Sequence, residues 1–429
     1  MGALTHAMST ATSPSCNGTR WTQPAIALVL LVSSVPPATA QTPADPEQAL
    51  VNAMIESRRG STGSALQFLG PLLDRQPRFR VAELLYSDLA RALAGDAQSV
   101  GVDQTLESER TELLAEADAR FAAYVDLHNS GWYVPAALIR ASDKQRYAVV
   151  IDLSLSRLFL FENVHNSFEL RAHYYVSAGK NGPYKQRQGD RRTPVGVYFL
   201  TGRIAGADLP DFYGAGALPV NYPNEWDLRR QRTGHGIWLH GVPNDTYSRT
   251  PNASDGCLVL SNDLFRELWT RLEPVVTPVI IYAQIEWLPQ SAAAARSDAL
   301  LKTIDTWRSD WESLDEQRYA RHYADTFRSG RQSRERWLHH KAQVNAAKRY
   351  VDVELHDLNA FGYPGEDNLA VVTFQQVYRS SDYDWSGLRR QYWRHIAGQW
   401  QIVFEGDVRI LPVHERGIPA SARVTAALF

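Results

Sequence analysis

The chain has 429 residues and carries 45 basic and 47 acidic side chains, a formal net charge of −2. So even a balance, with no basic block, argues against nucleic acid as the main partner, and the length exceeds one ordinary core, so two or three domains are expected. The 12 tryptophans and 19 tyrosines are ample for cores and for clefts that grip an extended ligand.

At the N-terminus, Arg20 precedes an apolar stretch from Ala25 to Val35, Pro36 and Pro37 follow, and Ala38-Thr39-Ala40 has the small-x-small pattern of a cleavage site. Residues 1–40 therefore read as a signal peptide removed before Gln41. The stretch is short for a membrane span, Cys16 lies upstream of it, and no later segment approaches a span, so an integral membrane protein is not expected.

Helical signals come next. Asp45-Pro46-Glu47-Gln48 reads as an N-cap with proline at the first helical position, and Leu50 and Met54 continue one face until Gly60. Leu66, Leu69, Leu72 and Leu73 predict a second helix, Val81, Leu84, Leu85 and Leu89 a third closed by Gly95, and a longer charged helix runs from Glu107 to Val125. No repeat period of about thirty-four residues runs through them. Residues 41–140 are assigned to a helical domain, either a bundle or helical-hairpin repeats, with a homodimer through it as an expectation.

From Tyr147 the texture changes to strands. Tyr147 to Asp152 is an apolar run, Ser154-Leu155-Ser156 a turn and Arg157 to Phe161 a return, which together read as a hairpin. Further strands are predicted at 172–178, 195–200, 236–240 and 279–282, and the span 202–234, dense in Gly, Pro and Tyr, reads as a long functional loop. Pro289 and Ala292 to Ala295 mark a linker or a helix start. Leu300, Ile304, Trp307 and Trp311 then give an amphipathic helix, and four alternating strands at 350–358, 369–378, 389–395 and 399–405 suggest a curled α+β cone. The fold class is multidomain: an α-helical front, a mainly-β centre over 146–287, a cone over 297–411 and a tail over 412–429.

Once residues 1–40 are removed, Cys257 is the remaining cysteine and has no intramolecular disulfide partner. It sits in Ser254-Asp255-Gly256-Cys257-Leu258, downstream of His240-Gly241. A lone thiol beside a histidine in an exported protein reads as a nucleophile with its base. A strand counted by two from Gly236 puts Trp238 and His240 on one face, leaves His235 on the other, and makes the Gly256 and Cys257 amides candidate oxyanion donors. Taken alone, the pair is better explained as a buried structural cysteine and a core histidine.

The wider wording carries a resemblance. Ile237-Trp238-Leu239-His240-Gly241, followed by Ser254-Asp255-Gly256-Cys257-Leu258, resembles the signature of the L,D-transpeptidase family with its YkuD-type catalytic domain, and Gly189 to Tyr198 and Val150 to Phe161 resemble two further stretches of it. The resemblance covers roughly Tyr147 to Trp287. It implies that Cys257 forms a thioester with a peptidoglycan stem tetrapeptide at its third residue, a diamino acid, that His240 is the base, that D-alanine leaves, and that an amine or water resolves the intermediate. It implies no cofactor and no metal. The family usually has histidine where this chain has Asp255, which is expected to point away from the thiol and hydrogen-bond the turn. For the substrate's carboxylates, Arg192 and Arg249 are the preferred anchors among nearby cations, with Tyr213, Tyr247, Gly241 and His235 as further candidates for the cleft.

The cone resembles nuclear-transport-factor-two-like domains, with Gln375, Tyr378, Trp393, Trp400 and Glu405 as candidate pocket residues. It reads as a binding or positioning module that can be removed without loss of the chemistry. The three-part layout resembles murein-trimming proteins that set cell shape in Gram-negative bacteria, which implies a periplasmic location. A wall-binding protein without catalysis and a scaffold that recruits partners are the competing readings.

Overall fold

The computed structural model describes residues 45–95, 104–129 and 133–408; the predicted signal peptide, with Cys16, and the predicted tail lie outside them. Asp45 caps α1 (Pro46–Arg58) by accepting a hydrogen bond from the Glu47 amide at 2.9 Å, as its position in the sequence predicts. Then come α2 (Thr62–Arg75), α3 (Arg80–Leu93) and α4 (Gln104–Asn129). Leu50, Met54, Leu69, Leu72 and Phe79 form a small core among these helices.

The centre contains β1 (Tyr133–Pro135), β2 (Leu138–Arg140), β3 (Tyr147–Asp152), β4 (Arg157–Val164), β5 (Ser167–Tyr175), β6 (Gly196–Phe199), β7 (Ile204–Ala205), β8 (Gly216–Pro219), α5 (Glu225–Arg229), β9 (Trp238–His240), β10 (Leu258–Val259), α6 (Asn262–Arg271), β11 (Pro278–Tyr282) and β12 (Trp287–Pro289). Five of these strands form a sheet in the order β5-β4-β3-β11-β6, and four form a second sheet in the order β10-β9-β8-β7. Both faces of the five-stranded sheet are buried, which is why Tyr147 to Asp152 reads as an unbroken apolar run. Val149, Ile151, Leu158 and Leu160 face Leu218, Leu239 and Leu258 of the second sheet and Phe265 of α6. Their neighbours Val150, Phe159 and Phe161 point the other way.

That other face is covered by the cone. It is built from α7 (Gln290–Glu312), α8 (Glu316–Ala320), β13 (Tyr323–Ser329), β14 (Gln332–Ser333), α9 (Arg334–Asn345), β15 (Val351–Gly362), β16 (Leu369–Ser380), β17 (Trp385–Ile396) and β18 (Gln399–Asp407). Phe361, Leu369, Val371, Tyr392 and Val403 pack in one cluster with Val150, Phe159 and Phe161. On the cone's inner face Trp307, Trp311, Phe374 and Trp393 fill a separate core under α7.

Three sequence expectations need correction. Residues 133–140 do not belong to the helical front: β1 pairs with β12, and β2 is the edge strand of the cone's seven-stranded sheet, next to β15. The span 202–234 is not one loop, because β8 inside it is the neighbour of β9. Of the two readings of Pro289 and Ala292 to Ala295, the helix start is the one found, since α7 starts directly after β12. The cone is also not a detachable module, because its removal would bare one face of the central sheet.

The helical front is fastened to the centre by a buried ion cluster. Arg157 of β4, 1 % exposed, lies 2.5 Å from Glu47 of α1 and donates to the Arg120 carbonyl of α4 at 3.3 Å, and Arg120 pairs with Glu116 at 2.8 Å. Burial alone would raise the Glu47 carboxyl, but Arg157 and Arg120 beside it outweigh burial and hold it down at about 2. A depressed folded value adds stability above the unfolded carboxylate range and loses it as pH falls. Acid titration of folding should therefore show stability declining between pH ~4.5 and ~2. Glu47→Gln, which leaves Arg157 buried without its anion, should cost about 3 kcal/mol in urea unfolding at pH 7 and flatten that acid limb.

Candidate active site

Cys257 directly precedes β10, which runs parallel to β9 with Leu258 opposite Leu239 and Val259 opposite His240. This pairing brings the thiol and the imidazole to adjacent strands although a loop of sixteen residues separates them in sequence. The strand is shorter than predicted. Gly236, at φ 75°, and the exposed His235 precede it, so His235 has no strand face.

His240 is 1 % exposed. Its Nδ1 lies 2.6 Å from the Gly241 carbonyl, which can only accept, so Nδ1 carries the proton and Nε2 keeps its lone pair. Among the described residues Nε2 has no hydrogen-bond partner. Burial pushes the imidazole down to about 3, against the pull of the Gly241 carbonyl and with help from Arg249. The half-buried Cys257 thiol donates to the Gly236 carbonyl at 3.4 Å. Burial pushes it up to about 11, and Asp255 adds to the rise, whereas the Trp238 amide, Arg249 and Lys185 oppose it. At rest the pair is thus a thiol and a neutral imidazole. Thiolate can form only as a proton acceptor and a second favourable charge interaction become available.

The turn before Cys257 is held from below. Gly256 sits at φ 125°, and a Cβ there would come within 2.6 Å of the Arg192 carbonyl, so this backbone approach requires glycine. Ser254 Oγ accepts from the Gly256 amide at 3.1 Å and donates to the Cys257 carbonyl at 2.6 Å. The Gly256 amide is therefore already engaged, which removes one of the two expected oxyanion donors. Asp255 does point away, 76 % exposed, with Lys180 at 3.5 Å and Arg191 at 3.8 Å. It does not bind the turn amides; Ser254 has that task.

Two residues missed in the sequence complete the frame. Thr193, fully buried, accepts from the Gly179 amide at 2.9 Å and donates to the Gly256 carbonyl at 3.1 Å, tying two loops to the thiol's turn. Asn262, the first residue of α6, accepts from the amides of Ala215 at 2.8 Å and Val242 at 3.2 Å. Its Oδ1 would lie 2.2 Å from a Cβ at Gly241, so Gly241 serves packing. Thr193 belongs to the quoted stretch around Gly189 to Tyr198. Asn262 left no signal in the sequence beyond a helix start.

Over His240 lies an aromatic roof from a 3-10 turn. The Tyr213 ring is 5.0 Å from the imidazole and that of Phe212 is 5.9 Å away. Arg249 stacks 4.1 Å above Phe212 and donates to its carbonyl at 3.3 Å. Tyr213 and Arg249 thus lie at the site. Arg192 is exposed and turned to the Pro183 carbonyl at 3.0 Å, so its backbone rather than its guanidinium supports the site. Tyr247 is not a wall of the cleft: its ring packs on Phe79 of the helical front at 4.3 Å. Of the cone residues singled out above, Tyr378 lines an open cavity of about 220 Å³ with Lys341, Trp385 and Arg389, whereas Trp393 is core and Glu405 accepts from Tyr323 and Gln391 in the interior.

Residues 146–281 match the L,D-transpeptidase catalytic domain family, and residues 299–406 match the Cds6 C-terminal NTF2-like domain family. The chain carries an L,D-transpeptidase catalytic domain followed by an NTF2-like domain. The solved structure of Bd1075 from Bdellovibrio bacteriovorus is similar, with 27% identity and a TM-score of 0.57 over 64% of this chain and 98% of that one. Pgp2, the helical cell shape determining protein of Campylobacter jejuni, shares the fold at 21% identity and a TM-score of 0.53, over 66% and 97% of the two chains. No curated protein matches. No helix among the described residues is long and apolar enough to cross a membrane.

Thr193→Val keeps the volume but leaves the Gly179 amide and the Gly256 carbonyl without their shared partner; urea unfolding should show a loss of about 2 kcal/mol. Asp255→Asn, at an exposed position off the turn, should change stability by less than ~0.5 kcal/mol. The pH profile of Cys257 alkylation in that variant should shift to lower pH, because the carboxylate's repulsion of the thiolate is gone.

Proposed function

We propose that this protein is a periplasmic cysteine acyltransferase acting on the tetrapeptide stems of peptidoglycan, with Cys257 as nucleophile and His240 as base. One observation carries the reading: the bond from His240 Nδ1 to the Gly241 carbonyl leaves Nε2 as a proton acceptor, one strand away from the thiol. The thiol proton passes to Nε2 as sulfur attacks the carbonyl of the third stem residue. The Cys257 amide is the oxyanion donor in this proposal, since that of Gly256 is bound to Ser254. Collapse breaks the peptide bond, the leaving D-alanine amine takes the proton from His240, and a thioester remains. An incoming amine then yields a crosslink and regenerates the thiol, making the enzyme an L,D-transpeptidase; water yields a trimmed tripeptide, making it an L,D-carboxypeptidase.

Arg249 is the proposed anchor for a substrate carboxylate, because it is the cation stacked on the roof. The cone is proposed to position the stem or its strand. Likeness to a helical cell shape determining protein supports a role in shape, and the segment 1–40 supports export.

Incubation with purified tetrapeptide muropeptides, followed by mass spectrometry, tests the proposal. Loss of the terminal alanine is expected, with tripeptide or crosslinked product identifying the acceptor. Cys257→Ser should abolish turnover in a folded chain, and His240→Ala should cost roughly a hundredfold or more, against little for the exposed His235→Ala. Undiminished turnover in Cys257→Ser would sink the assignment of the nucleophile, and no turnover by the wild-type chain would leave the wall-binding reading.

A further inference from the structure

The helical front reaches the candidate site through the segment between β9 and β10. The Arg78 carbonyl, in the connection from α2 to α3, accepts from the Tyr247 amide at 3.2 Å, and the Arg78 guanidinium donates to the Asn244 carbonyl. Phe79, fully buried, holds the Tyr247 ring at 4.3 Å. From α4, Glu116, 1 % exposed, accepts from Ser248 Oγ at 2.6 Å.

The next residue along is Arg249, whose guanidinium stacks on Phe212 and donates to its carbonyl. Asn244 Nδ2 donates to Asp211 at 2.5 Å, at the other end of the same roof. Helix, loop, roof and imidazole therefore form one continuous chain of contacts. A connecting loop fixes its backbone at a cost of about 1–2 kcal/mol per residue. Here Tyr247 and Ser248 are held by side chains that belong to another domain. Glu116 also pairs with Arg120 of the ion cluster that docks the helices on β4, so only changes on the loop side, at Tyr247 and Ser248, loosen the grip while keeping every charge of that cluster.

We propose that the helical domain is a positioning element of the active site: through Phe79–Tyr247 and Glu116–Ser248 it fixes the loop that sets the Phe212–Tyr213 roof over His240 and Arg249 beside Cys257. The inference rests on the reading of Cys257 and His240 as the reacting pair. The helices touch neither reacting atom; they decide how dry the pair is and where Arg249 stands.

The test uses full-length Ser248→Ala, Ser248→Thr and Tyr247→Ala, with three readouts: kcat/KM on tetrapeptide, thermal unfolding, and the pH midpoint of Cys257 alkylation by iodoacetamide. A loosened roof admits water, which lowers the thiol's titration point. Displacing Arg249 would raise it, but burial is the largest influence on this thiol, ahead of the Trp238 amide, Asp255, Arg249 and Lys185, so the net movement is downward. Ser248→Ala and Tyr247→Ala should lower the midpoint by about one pH unit and kcat/KM roughly tenfold, and Ser248→Thr, which keeps the hydroxyl, should restore both. Midpoints in both alanine variants that superimpose on the wild type, even with a lowered thermal transition, would overturn the proposal and leave the helices a purely structural role. If the wild-type chain turns over no tetrapeptide, the enzymatic reading fails, while the alkylation midpoints still decide the clamp.

Discussion

The central five-stranded sheet has no face to give to water. Val149, Ile151, Leu158 and Leu160 require one cover, and Val150, Phe159, Phe161, Val197, Phe199 and Ile280 require another. Burying one such side chain is worth about 1.5–3 kcal/mol, so baring either face would cost on the order of 10 kcal/mol, comparable with the whole stability of an ordinary domain. The first cover is the small sheet that carries His240 and leads out of Cys257. The second is the cone, and this makes catalytic centre and cone one cooperative body in spite of their separate family matches.

The same burial sets the chemistry of the site. Low-dielectric surroundings disfavour charge on both partners, raising the thiol and lowering the imidazole, so the thiol rests in its unreactive protonated form. The polar groups that remain are all directed: Gly241 orients the ring, Ser254 and Thr193 hold the turn, and Arg249 supplies a cation under control of the roof. The family resemblance expects a histidine at the position of Asp255, and here that position is exposed and faces Lys180 and Arg191. The departure therefore alters surface charge near the thiol and takes nothing from the hydrogen bonds that hold the turn.

Much of this was legible in the chain because the signals are local. Asp45 and Pro46 start a helix where their chemistry requires it, Val150 to Phe161 form the predicted hairpin, and the pairing of His240-Gly241 with Ser254 to Cys257 is a property of wording. What misled was also local. Residues 133–140 follow a helix and read with it, yet their partners, Pro289 and Phe361, lie more than a hundred residues on. Tyr247 stands near the motif in sequence but is drawn to Phe79 by an apolar contact that no spacing announces.

The sequence by itself determined the order of elements, the identity of the nucleophile and base candidates, and the catalytic-domain resemblance, since capping, periodicity and motif all act within a few residues. Only the tertiary structure decided which atoms of those residues are free to act. That Gly256 has spent its amide on Ser254, that Nε2 and not Nδ1 is the open nitrogen, and that the helical front grips the loop bearing Arg249 depend on which groups lose access to water together. A buried polar group must find its partner wherever the fold provides one, and that choice is made across the whole chain.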